Sequence, residues 1–166
     1  MGRSAALLVD IVIRVASLDD AAALSKYMNA LADENLEQLS GLRPSPEQER
    51  DFLQKASENG RAFVLVAWDR ADIIGVLDLW PGEMPFNRHA GRLGMSVLAP
   101  YRRRGIGRRL LEHAIERTKQ LPDFCRIVLD VAPANEPAIS LYESVGFVRE
   151  GSMKKAAIFR ADPGSY

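Results

Sequence analysis

Only one cysteine, Cys125, occurs in the 166 residues, which excludes a disulfide within the chain and fits a reducing compartment. No net charge remains when 22 Lys and Arg are set against 22 Asp and Glu, which argues against general nucleic-acid binding. Long apolar runs are missing too. Ala5–Leu8 and Ile11–Val15 are too short and interrupted to span a membrane, and no signal-peptide cleavage pattern accompanies them. These absences predict a cytoplasmic protein with neither a membrane nor a nucleic-acid partner. Neither internal repeats nor low-complexity tracts occur. The Gly-x-x-x-x-Gly-Lys-Ser/Thr loop and the full Gly-x-Gly-x-x-Gly loop are both absent, which removes the two commonest nucleotide cradles. A kinase-like site would need Lys and a metal-binding Ser or Thr after the glycines, where Arg108 and Arg109 stand. What remains is ordinary globular material: 47% hydrophobic residues, and length enough for one domain with a real core, expected over 11–160 between an extension at 1–10 and a tail at 161–166.

Against that background one stretch stands out. Val97-Leu98-Ala99-Pro100 closes an apolar run, and Tyr101-Arg102-Arg103-Arg104-Gly105-Ile106-Gly107-Arg108-Arg109 opens a helix with two glycines and five arginines. Glycine admits a ligand close to the backbone, and the first N–H groups of a helix point outward with the dipole favouring negative charge. This is a cradle for a diphosphate. The helix that follows places Ile106, Leu110, Leu111, Ala114, Ile115 and Thr118 on one stripe, with Arg109, Glu112, His113, Glu116, Arg117 and Lys119 on the other. Pro122 ends it, and Cys125–Val131 reads as a strand with Cys125, Ile127, Leu129 and Val131 on one face. Strand, helix, strand implies a parallel pair with a right-handed crossover, so the cradle lies at the carboxyl end of the first strand. A second helix starts at Asn135, its expected N-cap, and stops at Gly146, with Tyr142 two turns in.

Upstream, Ile11–Val15 is predicted as a strand. Asp19 caps a helix turning Ala22, Ala23, Tyr27, Ala30 and Leu31 inward, and Glu47–Glu58 makes another helix. Ala62–Trp68 and Ile73–Trp80 form a hairpin around Asp69–Asp72, and Arg92–Val97 leads into the cradle. Gly94 marks a bulge or a close backbone approach. The fold class is therefore α+β, with a mixed sheet that is antiparallel in its N-terminal half and parallel afterwards.

Taken together, Val97–Arg109 and the downstream Asn135-x-x-Ala138-x-x-Leu141-Tyr142-x-x-x-Gly146-Phe147 closely resemble the GNAT superfamily of acyl-CoA-dependent N-acyltransferases, and more loosely so does the chain from Ile11 to Phe159. Amino-acid and small-amine acetyltransferases look nearest. The resemblance implies a GNAT-like sheet with helices on both faces, in which strands 4 and 5 splay apart to admit the pantetheine arm. It implies acetyl-CoA as co-substrate, no metal, and a small-molecule amine acceptor attacked directly in a ternary complex. Met95, Ser96 and Val97 would pair with pantetheine, and the N–H near Val97 would polarise the thioester carbonyl. Arg102, Arg103, Arg104, Gly105, Ile106 and Gly107 would take the pyrophosphate, with Arg108 or Arg109 adding contacts. Asn135 would hold the pantetheine amide, and Tyr142 would protonate the leaving sulfur, a role suited to a phenol still protonated near neutral pH.

Two departures from the family pattern bear on chemistry. The carboxylate such enzymes often carry near the start of the fourth strand falls on Arg92, so the general base does not carry over. Glu83, His89, Glu34 and Asp78 remain, with Glu83 and His89 placed first because the loop Pro81–His89 is expected to reach the acceptor mouth. At the carboxyl end, the final strand is either missing, leaving an edge open to a homodimer, or shortened to Gly146–Glu150 and Met153–Arg160. The acceptor is expected between the loop Pro81–His89 and Asp33–Ser45, among Asp33, Glu34, Leu36, Leu39, Trp80, Phe86 and His89. Cys125 reads as a small buried hydrophobe. A non-catalytic acetyl-CoA-binding regulatory module and a protein-amine acetyltransferase are the alternatives.

Overall fold

The computed structural model describes residues 11–34 and 42–154. Among the described residues five strands, β1 (Ile11–Val15), β2 (Phe63–Asp69), β3 (Asp72–Pro81), β4 (Ala90–Val97) and β5 (Arg126–Val128), lie side by side in chain order. The first three pairings are antiparallel and β4–β5 is parallel, as the crossover through a helix demands. Four helices cover the sheet: α1 (Ala21–Asp33), α2 (Pro46–Asn59), α3 (Ile106–Thr118) and α4 (Glu136–Ser144).

β2 and β3 are nearly continuous apolar runs because both of their faces are buried. Alternate residues separate into two cores. Val64, Val66 and Val76 turn toward α1 and α2, where they pack with Leu24, Tyr27, Leu31 and Leu53. Phe63, Leu65, Leu77, Leu79 and Leu93 turn the other way onto Ile106, Leu110 and Leu111 of α3 and Tyr142 of α4. Helix boundaries follow local chemistry. Ser45 accepts from the Gln48 N–H while Gln48 Oε1 accepts from the Ser45 N–H, with Pro46 in the first turn of α2.

Several expectations shift. A one-turn 3-10 helix, Leu18–Asp20, with Ser17 at its N-cap, precedes α1, so the chain enters that helix through Asp20 rather than a cap at Asp19. The buried stripe of α1 is Ala21, Leu24, Ser25, Tyr27, Leu31 and Ala32, whereas Ala22 and Ala30 are exposed. β5 is only three residues long, and Cys125 beside it is exposed rather than buried. No strand forms over 147–153, so the expected strand Gly146–Glu150 is absent. Ala5–Leu8, Leu36, Leu39 and the stretch from 155 onward, with most of Met153–Arg160, lie outside the described residues. Among the described residues no helix is long and apolar enough to cross a membrane.

Candidate active site

β4 runs for eight residues but pairs with β5 only through Ala90, Gly91 and Arg92. Beyond Arg92 the two strands separate. In an antiparallel ladder successive residues turn their backbone groups to opposite sides. Leu98 donates to the Ile74 carbonyl, and the Ala90 carbonyl accepts from Gly82. Even-numbered residues therefore bond toward β3 and odd-numbered ones toward β5. The His89 carbonyl, on the β5 side, accepts from Cys125 N at 2.9 Å. With the partner strand gone, Leu93, Met95 and Val97 present backbone groups to an open gap. Arg102 Nε occupies the Val97 carbonyl at 2.8 Å, leaving the N–H groups of Met95 and Val97 unengaged.

The gap ends at the cradle. A 3-10 turn, Ala99–Tyr101, leads into Arg102, and the N–H groups of Arg103 to Arg108 meet no acceptor among the described residues. Arg103 (φ 60°) and Gly105 (φ 78°) are both left-handed, which turns successive amides inward around one concavity. A residue with a Cβ pays about 1 kcal/mol or more to sit there, and Arg103 does so beside the helix start. Gly107 serves a different end: a Cβ on it would lie 3.1 Å from Leu141 and 3.5 Å from Met95. Its bareness lets α4 close against the first turn of α3.

Four of the five arginines are engaged within the chain. Arg102 reaches the Val97 carbonyl and an ion pair with Glu34 at the end of α1, and Glu34 Oε1 also accepts from Ala99 N at 2.7 Å. Arg108 donates to Ser144 Oγ on α4 at 2.6 Å, and Arg109 to the Ile11 carbonyl of β1 at 2.9 Å. Arg104 lies 5.5 Å over the Tyr101 ring. Glu34 thus clasps the link between β4 and α3, a use that no local motif announces.

Across the gap, Asn135 Oδ1 caps α4 through the Ala138 N–H at 3.3 Å. Tyr142 is buried among α3 and α4 residues, with its ring edge-on to Phe147 at 5.6 Å. Burial pushes its hydroxyl above the ordinary phenol value. That hydroxyl has no hydrogen-bond partner among the described residues. Ser96 turns to the opposite face, its hydroxyl 2.9 Å from that of Tyr27, a second role for a residue the sequence marks only as core.

Glu83 and His89 are both exposed in the β3–β4 loop. That loop lies at the end where β4 and β5 are zipped together, about 23 Å along β4 from the cradle end. From the sequence the loop is expected to reach the acceptor mouth; the strands part at the other end of β4, and Glu83 and His89 are not brought together with Tyr142 or the cradle. Asp78 stands on β3 directly opposite Gly94. The expected close approach at Gly94 is real, with Asp78 Oδ1 2.8 Å from where a Cβ would sit, and the register there runs without a bulge. Burial raises Asp78 to about 6, against a weaker opposing contact from Trp80.

A sheet split beside an amide cradle has close counterparts. The sequence profile of the Acetyltransferase (GNAT) family matches residues 28–147. The chain belongs to the GNAT acetyltransferase family. An acetyltransferase of the GNAT family from Streptococcus pneumoniae superimposes with a TM-score of 0.86 at 30% identity, covering 92% of each chain. An L-amino acid N-acetyltransferase from Escherichia coli is 33% identical over 94 residues, 57% of this chain and 58% of that protein. A ribosomal protein bS18 alanine N-acetyltransferase from Salmonella typhimurium is 31% identical over 102 residues, 61% of this chain and 64% of the other. The chain therefore matches just under two thirds, at most, of these two curated relatives. Its mixed sheet, with β4 and β5 parallel, superimposes on the Streptococcus pneumoniae structure.

Proposed function

We propose that this protein transfers an acetyl group from acetyl-CoA to the primary amine of a free amino acid or small amine, by direct attack within a ternary complex. The observation that carries this reading is the open edge of β4 running into the unpaired amides of Arg103–Arg108. A diphosphate suits that ring of N–H groups, and a pantetheine arm, itself a chain of amides, suits the vacant half of a β ladder.

From the cradle the arm meets Val97 first and Met95 about 7 Å deeper, two residues back along the strand. The thioester is at the arm's far end. Met95 N–H is therefore better placed than Val97 N–H to polarise its carbonyl, and Val97 pairs with the arm. The charge that develops on the carbonyl oxygen falls on a donor already aimed into the gap, so nothing needs to reorganise. Arg102 acts through its clasp with Glu34 and Val97, holding the turn in shape, while Arg103 and Arg104 supply charge toward the phosphates. Asn135 caps α4 with its oxygen and keeps its NH₂ for the pantetheine carbonyl. Tyr142 gives its proton to the departing thiolate. Burial that raises a phenol's pKa keeps it protonated, so the proton is present when the sulfur leaves.

Mixing the protein with acetyl-CoA, a thiol reagent and a panel of amines tests the reading. The panel comprises the twenty L-amino acids, spermidine, and short peptides beginning with alanine, serine or methionine. Amine-dependent thiol release is expected, and acetyl-CoA binding without release would mark a non-catalytic module. Tyr142→Phe lowers kcat more than tenfold, about 1.4 kcal/mol, with acetyl-CoA affinity unchanged. A second reading, transfer to a peptide amino terminus, is favoured by the similarity to the ribosomal-protein alanine N-acetyltransferase. Turnover confined to the peptides would decide for it.

A further inference from the structure

The transfer proposed above needs a group to take a proton from the acceptor's ammonium, and Arg92 stands where the family pattern would supply one. Two carboxylates near the gap are already committed. Glu34 is bound to Arg102 and Ala99, and Asp130 forms an ion pair with Arg92. Glu83 and His89 lie at the closed end of β4. Asp78 has no cationic partner among the ion pairs of the described residues, and it stands directly opposite Gly94 on β4.

Its position follows from the pleat. Val76 and Asp78 on β3 share a face with Gly94 and Ser96 on β4, and the Ser96–Tyr27 contact identifies that face as the one under α1. Met95, between Gly94 and Ser96, turns its side chain to the α3 side and its backbone into the gap. The cradle belongs to α3, so the donor comes in from that side and the α1 face is left for the acceptor. Any residue but glycine at 94 would put a side chain between Asp78 and the gap. With none there, the carboxylate oxygen fills that space itself, 2.8 Å from the missing Cβ.

We infer that Asp78 is the general base of this enzyme, reaching the acceptor ammonium across the bare backbone of Gly94 beside Met95. This rests on the acetyl transfer proposed above. In the step, R–NH₃⁺ gives one proton to the Asp78 carboxylate, and the freed nitrogen lone pair bonds to the thioester carbon. The tetrahedral adduct collapses with rupture of the C–S bond. The nitrogen's second proton balances the one that Tyr142 delivers to the thiolate, and the Asp78 proton returns to solvent, leaving amide, thiol and one H⁺. Other titratable or charged groups on the elements covering this face are Arg92 on β4, Tyr27 on α1 and Glu49 on α2. Arg92 is held by Asp130 and Tyr27 by Ser96; Glu49, also a carboxylate without an ion-pair partner among the described residues, sits on α2, which packs on α1 and β2, whereas Asp78 faces Gly94 of β4 directly. A carboxylate that titrates near 6 is ionised at neutral pH yet far more basic than an exposed aspartate.

The test is the pH dependence of turnover, using the panel amine with the highest rate, for wild type and Asp78→Asn. Wild-type kcat/KM should fall on an acidic limb with its midpoint near pH 6. Asp78→Asn should lower kcat at least 100-fold at pH 7.5, abolish that limb, and leave the KM for acetyl-CoA within twofold. Turnover of the variant within threefold of wild type, or a wild-type profile flat between pH 5 and 7, overturns the assignment while the transferase reading stands. Absence of wild-type turnover with every amine overturns both.

Discussion

Two aspartates largely removed from water show how differently the β1–α1 corner and the centre of the sheet treat a buried charge. Asp20, 6% exposed, accepts from both guanidinium nitrogens of Arg14 at 2.7 and 2.8 Å, from the Ser17 N–H at 2.7 Å and from the Ser17 hydroxyl at 3.2 Å. The Arg14 hydrogen bonds hold its carboxyl below the ordinary aspartate value. Asp78 has no such partner, and burial pushes it up to about 6. The saturated carboxylate ties strand to helix, and the unsaturated one keeps an affinity for protons. Carboxylates of the second kind cluster at functional sites.

The largest effect expected from breaking this contrast is at Asp20. Asp20→Ala strips the Arg14 guanidinium of its two carboxylate acceptors, leaving it the Val15 carbonyl, and orphans the Ser17 N–H, costing about 2 to 3 kcal/mol, a value held down because Arg14 is itself 43% exposed. For a chain of this length that lowers Tm by roughly 5 to 10 °C in a thermal melt. Acetyl-CoA binding at low temperature should be unchanged. A Tm within 1 °C of wild type would show that the corner is not a tie.

Asp78→Asn should do the reverse, stabilising the fold while removing activity. The sign follows from linkage. With the folded value above the unfolded one, the folded state binds the extra proton, so Asp78 contributes stability below the ordinary carboxylate value of 3.8 that is lost as pH rises through about 6. The neutral amide escapes that loss and should gain on the order of 1 to 2 kcal/mol at pH 7.5, shrinking to nothing near pH 4. Asp20 runs oppositely: its lowered value makes its stabilisation present above the unfolded pKa and lost as pH falls through the folded one. Denaturant melts from pH 2 to 8 should therefore differ: relative to wild type, the Asp78→Asn difference changes between about pH 4 and 6, and the Asp20→Asn difference only below pH 3.8. Parallel curves would show that the two carboxylates are equivalent.

Much of this was readable without coordinates because it is written in periodicity and punctuation. The stripe of α3, the hairpin turn at Asp69–Asp72, the helix expected over Glu47–Glu58 and found over Pro46–Asn59, and the spacing of Gly105 and Gly107 are local signals. Small residues defeated the reading of α1, where alanines occur on both faces and only packing distinguishes Ala21 from Ala22. The short length of β5 escaped for another reason: a β-branched run looks the same whether or not its neighbour stays alongside. The Glu34–Arg102 clasp joins residues 68 apart, beyond any window of pattern. Asp78 is visible as a polar residue in the run Ile73–Trp80, yet it ranks below Glu83 and His89 until one knows which end of β4 opens. The identity of the residue facing Asp78 is a matter of register, and it is register that turns Gly94 from a break in a strand into a window.

That window provides the smallest and most discriminating perturbation. Gly94→Ala adds one methyl whose carbon would fall 2.8 Å from Asp78 Oδ1, closer than such a contact is tolerated, so the carboxylate must rotate aside. Because the clash is with the free end of a side chain, the fold should lose less than about 1 kcal/mol. The methyl also displaces water from the carboxylate, which favours the protonated form and moves the acidic limb of kcat/KM upward. Turnover should drop by roughly tenfold, about 1.4 kcal/mol, with acetyl-CoA affinity intact, since the methyl lies on the α1 face and the donor on the other. In the Asp78→Asn background the same methyl should leave the residual pH profile where it was, because the group it shields no longer titrates. A limb that still moved there would belong to some other residue, and Gly94 would then be only a close contact between two strands.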